Sequence, residues 1–172
     1  MAIVFTDYNP DWPAEAERGM AELRDLFPVI EHVGSTAVPG LAAKPVIDLM
    51  VSTPDLDSVL ANEDALTALG YVREQTGMRN RLFYRRDTNG VRTHHLHVIP
   101  AHNWDPRNER LLRDHLRAHP DAAAEYGDLK RGLAATASDG LVYTKGKTAL
   151  IQRLIDRERA ARGLPPSDVW ED

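Results

Sequence analysis

The stretch His32–Val51, HVGSTAVPGLAAKPVIDLMV, decides how this 172-residue chain is read. Its flanks are short and apolar, so Val29 to Val33 and Val46 to Val51 each read as a buried strand. Between them, Gly34 to Pro45 holds two glycines and two prolines and cannot form one continuous regular element. A Gly34-Ser35 pair at a strand end lets the backbone approach a phosphate. The Ser35 hydroxyl and nearby N–H groups can then donate to its oxygens. Twelve residues intervene before Asp48, which stands on the next apolar strand, where a carboxylate can hold a divalent cation bridging to the same phosphates. The alternative for Asp48 is a capped or salt-bridged acid near Lys44. In either case an ionised Asp among Val, Ile and Leu is costly without a partner, so a cation or donor should face it.

Working outward, Asp11 can cap a helix opening at Trp12-Pro13, whose apolar stripe is Trp12, Ala16, Met20, Leu23 and Phe27, with Pro28 as its stop. Asp55 caps a further helix ended by Gly70. Tyr71 to Gln75 reads as a strand, and Arg81 to Arg86 and Val91 to Ile99 flank an Asn89-Gly90 hairpin turn. Beyond Pro100 the pattern turns helical, with stretches opening at Asp105-Pro106, His119-Pro120 and Thr144. A loop-like tail follows, in which Val169 and Trp170 can dock on the body. The expected organisation is a mixed core over residues 1–104, a helical region over 105–162 packed on it, and a tail over 163–172.

A second constellation lies in Thr93-His94-His95-Leu96-His97-Val98. Alternation puts His95 and His97 on one strand face and His94 and Leu96 on the other. An even-length loop around Asn89-Gly90 sets His95 and His97 beside Leu82 and Tyr84, with Phe83 on the Leu96 face; an odd-length loop reverses this. Two imidazoles at i and i+2 together with Asp48 make a two-His, one-carboxylate set for a single metal. The same imidazoles can instead contact phosphate, act as acid and base, or serve structure alone. Positive charge forms a third group: Arg79, Arg81, Arg85 and Arg86 around the hairpin, Lys44 in the Gly-rich segment, and Lys130, Lys145 and Lys147 among the helices. Tyr126 and Tyr143 can stack on a base or pack in the core, and Trp12 and Trp104 read as packing residues.

The composition, 42% hydrophobic with a formal charge of −5, describes an ordinary globule and disfavours duplex nucleic acid as a partner. Local basic clusters can still hold a small anion. The absence of cysteine excludes disulfides, thiolate nucleophiles and zinc-thiolate sites. Any metal must use His, Asp, Glu or backbone oxygen, which points to Mg, Mn or a His-bound transition metal. The N-terminus lacks a basic and apolar leader and no 18-residue apolar run occurs, so the expectation is a cytoplasmic protein without a membrane partner.

The run from His32 to Val51 resembles the signature of the GrpB-like branch of the nucleotidyltransferase superfamily, through His32, Gly34, Ser35, Thr36, Pro39, Gly40, Leu41, Lys44, Pro45 and Asp48. The similarity extends to Leu69-Gly70-Tyr71, His95 to Val98, Leu112 to Pro120, Tyr126 to Lys130 and Tyr143 to Lys147. The resemblance implies an α+β fold, a nucleotidyltransferase-like mixed β-sheet with flanking helices and a C-terminal helical region, in a family sometimes attached to a coenzyme A biosynthesis kinase. It also implies a cleft between sheet and helices for a nucleotide or other phosphate-containing small molecule, contacted by Gly34, Ser35, Thr36, Lys44, Arg81, Lys130 and Lys147. Asp48, His95 and His97 are then the catalytic and metal-binding candidates, with Mg or Mn as cofactor and nucleotidyl transfer as the reaction. Active superfamily members carry two carboxylates two residues apart on this strand, on one face. Here Met50 occupies the partner position. The competing readings are a module that binds a nucleotide or coenzyme without turnover, and a metal-dependent phosphoesterase built on the His-His-Asp group.

Overall fold

The computed structural model describes residues 4–136 and 140–169 and divides into two compact units. The sheet unit comprises Asp11–Val33 and Val46–Asp105. The helical unit comprises the described parts of Met1–Pro10, Gly34–Pro45 and Pro106–Glu171. The two units interleave along the chain. Val38 and Leu41 join the buried cluster of Leu116, Tyr126, Ile151 and Leu154, which commits the Gly-rich segment to the helices. Thr6 pairs with Ala43 as an isolated antiparallel bridge, which adds the N-terminal segment.

The sheet unit holds β1 (Ile30–Val33), β2 (Ile47–Thr53), β3 (Tyr71–Arg73), β4 (Leu82–Thr88) and β5 (Val91–Pro100), in the spatial order β1-β2-β5-β4-β3. Only the central β2–β5 pair is parallel; the other neighbours are antiparallel. Helix α1 (Trp12–Leu23) packs on the sheet through Trp12, Ala16, Gly19 and Leu23. Asp11 makes no side-chain cap, and the helix ends a turn before Pro28, with Phe27 N–H bonding back to Leu23 O. Phe27 is nevertheless buried, so the apolar stripe outlasts the helix. The single helix expected after Asp55 is two, α2 (Leu56–Ala61) and α3 (Glu63–Ala68), because Asn62 takes φ −112° and ψ 23°, outside the helical region. Asp55 does cap α2, accepting from Asp57 N–H at 3.1 Å and from the Ser58 hydroxyl at 2.8 Å.

The hairpin corrects one expectation. Its loop is the even, two-residue Asn89-Gly90, with φ of 53° and 77° as a type I′ turn requires, and Thr88 pairs with Val91. The register nevertheless shifts beyond Asp87–Arg92, because Thr93 is passed over as a bulge and Arg86 pairs with His94. One extra residue turns every later side chain of β5 to the other face relative to β4. Phe83 and Arg85 therefore lie opposite His97 and His95, while Tyr84 lies opposite Leu96. The Thr93 hydroxyl fixes the bulge by donating to Arg86 O at 3.2 Å.

In the helical unit, α4 (Asn108–Ala118), α5 (Pro120–Thr136), α6 (Gly140–Gly146) and α7 (Thr148–Ala161) follow one another. No helix opens at Thr144, which lies inside α6. The tail docks: Val169 packs against the core and its N–H donates to Gln152 Oε1 at 2.8 Å, whereas Trp170 lies outside the described residues. No helix among the described residues is long and apolar enough to cross a membrane.

On the sheet face covered by α1, His94 and Leu49 sit against Gly19. A Cβ at Gly19 would meet Leu49 Cδ1 at 3.1 Å and the His94 ring at 3.5 Å. His94 Nδ1 lies 2.8 Å from Thr93 Oγ1, whose own proton is committed to Arg86 O, and Arg86 Nη2 lies 3.3 Å from His94 Nε2. Arg86 Nη2 also lies 3.4 Å from His94 Nδ1, so the guanidinium touches both ring nitrogens. Burial first, then the charge of Arg86 and the neighbouring His95, push the His94 pKa down to about 4.

Two predictions follow from this face. A Gly19→Val chain carries a branched side chain into the α1–sheet contact and should lose about 1–3 kcal/mol in urea unfolding; a stability equal to the parent's would mean that α1 does not approach as described. His94 binds fewer protons folded than unfolded between its ordinary value of 6.5 and about 4. Stability should therefore fall as pH drops through that window, by about 1 kcal/mol per unit at the steepest. Comparing urea midpoints across it, a His94→Gln chain should show a flatter dependence than the parent.

Candidate functional site

The opposite face of the sheet carries the candidate chemistry. Parallel pairing sets Asp48 of β2 beside His95 of β5, and Met50 beside His97, with all four side chains on one face. Asp48 Oδ1 lies 3.2 Å from His95 Nδ1 and 3.4 Å from His97 Nε2. Met50 is fully buried in an apolar cluster with Val33, Ile99 and Trp104, so the place of a second carboxylate is filled by core packing.

The outer nitrogens of the two rings define their protons. Arg81 Nη1 lies 3.2 Å from His97 Nδ1, and Arg92 Nη1 lies 3.4 Å from His95 Nε2. A guanidinium only donates, so these nitrogens accept. A neutral ring then carries its proton on the other nitrogen, and both N–H groups point at Asp48 Oδ1. Phe83 packs against both rings, with centroids 5.0 Å away in each case. Burial pushes the Asp48 carboxyl up, but hydrogen bonds from His95 and then His97, with the charges these rings carry when protonated, hold it well below the usual carboxylate range. The result is an ionised carboxylate with Oδ1 committed to two donors. Asp48 is 27% exposed, and among the described residues Oδ2 makes no hydrogen bond, so it can accept from an O–H or N–H of a bound molecule.

A divalent ion, implied by the resemblance, does not fit this arrangement. It needs a lone pair on each ring nitrogen facing Asp48, and those are the protonated ones. Histidines that hold metals pass their other N–H to an acceptor, whereas here each meets a guanidinium. Among the described residues no group of three or more His, Asp or Glu side chains is arranged to hold a metal ion.

The anion-binding candidates separate by unit. Arg81 is buried on His97 in the sheet unit, and Arg85 and Arg86 are tied to Glu74 and Glu22 at 2.9 and 3.2 Å. Gly34, Ser35, Thr36, Lys44, Lys130 and Lys147 belong to the helical unit. Gly34 takes φ 78° and ψ −176°, open in practice only to glycine, and feeds a single 3-10 turn, Ser35–Ala37. Thr36 is buried in that turn. Lys44 and Lys147 place their Nζ atoms 4.5 and 4.8 Å from the centre of the same Tyr143 ring. Lys130, 1% exposed, sits 4.8 Å from the Tyr126 ring and 5.6 Å from Phe5. Tyr126 and Tyr143 are both buried, and burial raises the Tyr143 hydroxyl to about 12. The Thr93 bulge, in place of an odd-length loop, brings Phe83 opposite His97, and Arg92 is the residue the sequence reading missed. Nothing in the local pattern of Arg92 points to His95.

A family model described as GrpB protein matches residues 2–157. A UPF0157 protein of Pseudomonas aeruginosa is 39% identical over 91% of this chain and 68% of its own length. A UPF0157 protein of Bacillus subtilis is 34% identical over 84% of the chain, which spans only 44% of that relative. A dephospho-CoA kinase of Mycolicibacterium paratuberculosis is 30% identical over 77% of the chain and 39% of its own length. Among solved structures, the conserved protein GrpB from Enterococcus faecalis superposes with a TM-score of 0.84 at 29% identity, over 93% of this chain and 99% of that one. Terminal uridylyl transferase 4 from Trypanosoma brucei, solved with bound dUTP, shares the fold at a TM-score of 0.53 and 14% identity, over 95% of this chain and 59% of that one. The mixed five-stranded sheet is thus that of the nucleotidyltransferase fold, and the chain belongs to the GrpB family.

Proposed function

We propose that the protein binds a nucleotide or another small phosphate compound and does so without a divalent metal at Asp48. The observation that carries this is the pair of ammonium groups of Lys44 and Lys147 on one Tyr143 ring, in a chain of net charge −5. Residues distant in sequence meet on one ring there, and two cations so placed raise the local positive potential that favours a small anion. Gly34-Ser35 of the same unit offers further donors of the kind a phosphate needs. The fold supports the nucleotide class, since the Trypanosoma brucei structure carries dUTP. The kinship with a dephospho-CoA kinase adds coenzyme-type adenosine phosphates to the candidates.

Of the readings open from sequence, binding without metal-dependent turnover is favoured by Met50, whose side chain is fully buried in apolar packing where transfer chemistry needs a second carboxylate. Nucleotidyl transfer and phosphoester hydrolysis through a metal at Asp48, His95 and His97 both require a ligand set that the protonated ring nitrogens do not offer.

The reading is tested by thermal shift with the four ribonucleoside triphosphates, pyrophosphate and dephospho-CoA, each with magnesium and with EDTA. At least one compound should raise Tm, by the same amount in both buffers. Replacing Lys44 and Lys147 together by Ala should weaken that response at least tenfold in concentration, since charge-assisted contacts of about 1.5–3 kcal/mol are lost. No shift with any compound, or a shift indifferent to both lysines, would sink the proposal.

A further inference from the structure

We infer that Arg81 and Arg92 are positioning residues that lock His97 and His95 as proton donors to Asp48, and thereby close this cluster to divalent cations. The inference concerns the sheet unit alone and stands whether or not the lysine cluster binds phosphate.

The separations at Asp48 are close to those between ligands of a small metal ion, at 3.2 and 3.4 Å from one carboxylate oxygen. Side-chain identity alone therefore does not keep a metal out. What differs is the far side of each ring. For a cation to sit between Asp48 and the rings, His95 must move its proton from Nδ1 to Nε2, and His97 from Nε2 to Nδ1. Each relocated N–H then points at a guanidinium N–H, donor against donor. Arg81 is not easily withdrawn, and Arg92 is held through its ion pairs. Arg81 is 7% exposed. Arg92 is held by Glu74 Oε1 at 3.1 Å and by Asp87 Oδ1 at 3.6 Å, and Glu74 is itself fixed by Arg85 at 2.9 Å. Nor can the rings turn over freely, since Phe83 lies against both. The tautomers follow from the packing of β4 and the start of β5 around the rings, and the arginines impose on Asp48 a partnership with protons in place of one with a cation.

The test uses the full chain, labelled with nitrogen-15, at pH about 8. Two-bond proton–nitrogen correlations report which ring nitrogen carries the proton. The expected result is Nδ1–H for His95 and Nε2–H for His97, unchanged on titration with zinc chloride. In an Arg81→Gln, Arg92→Gln chain the side-chain carbonyls can accept from the outer nitrogens. Both tautomers should then switch on zinc addition, and calorimetry should show zinc affinity raised about 10–100-fold, the usual weight of such supporting partners. A merely structural arginine pair would move stability but not the tautomers or the zinc affinity. Three results would overturn the inference: the opposite tautomers in the parent chain, stoichiometric zinc binding by the parent that is lost in Asp48→Ala, or a folded double variant with unchanged zinc affinity. Should the double variant not fold, the parent's tautomers and zinc titration decide alone.

Discussion

Strands β2 and β5 run parallel through the middle of the sheet, and their register is the constraint on which the rest of the sheet unit depends. Asp48 lies beside His95 and Met50 beside His97 because Ile47 pairs with His94 and the ladder runs on to Thr53 and Pro100 without a break. A carboxylate in so apolar a strand must be satisfied where it stands. The pairing supplies two imidazoles from the adjacent strand, both reaching the same oxygen. The same ladder gives the other face of β2 to Ile47, Leu49 and Val51, all buried, with α1 close enough that position 19 tolerates little beyond a glycine. One register thus produces a polar face with an ionised acid and an apolar face with a helix on it.

What β4 adds is decided by a single residue. The Thr93 bulge brings Phe83 and Arg85 to the histidine face and sends Tyr84 into the core, where it is fully buried and donates to Glu63 at 2.8 Å. Without the bulge, Tyr84 would share the face of His95 and Phe83 that of Leu96. The rings would lose the aromatic wall that holds them in place. The electrostatic character of the cluster, a carboxylate bound by protons and backed by guanidinium groups, therefore depends on a local irregularity of the hairpin as much as on the residues of the cluster.

These observations also show what was legible in the sequence. The strands could be read because their apolar runs are bounded by glycine and proline, and the alternation of His95 and His97 placed them on the correct common face. The convergence on Asp48 comes from the parallel pairing of β2 with β5, which no local pattern encodes. The bulge was not legible, since Leu82, Phe83 and Tyr84 are all able to face a core and the pattern does not choose among registers. The break at Asn62 was hidden by apolar residues on both sides of it. The allegiance of Gly34–Pro45 to the helices is a tertiary fact, made by Val38 and Leu41 packing against residues more than seventy positions away. Lys44 and Lys147 were visible as charges, but only the fold shows that they share a ring. The expectation of a metal arose from residue types that suit one. Ligand type is written in the sequence, while the proton on a ring nitrogen depends on what stands behind it.

The account rests on Asp48 being held by two imidazole protons and not by a cation. A crystal structure grown with manganese, with diffraction measured at the metal's absorption edge, tests this most directly. The account predicts His95 Nδ1 and His97 Nε2 within hydrogen-bond distance of Asp48 Oδ1, Arg81 and Arg92 behind them, and no anomalous density among the three. A manganese peak within ligand distance of Asp48 and both rings, with the arginines displaced, would contradict it.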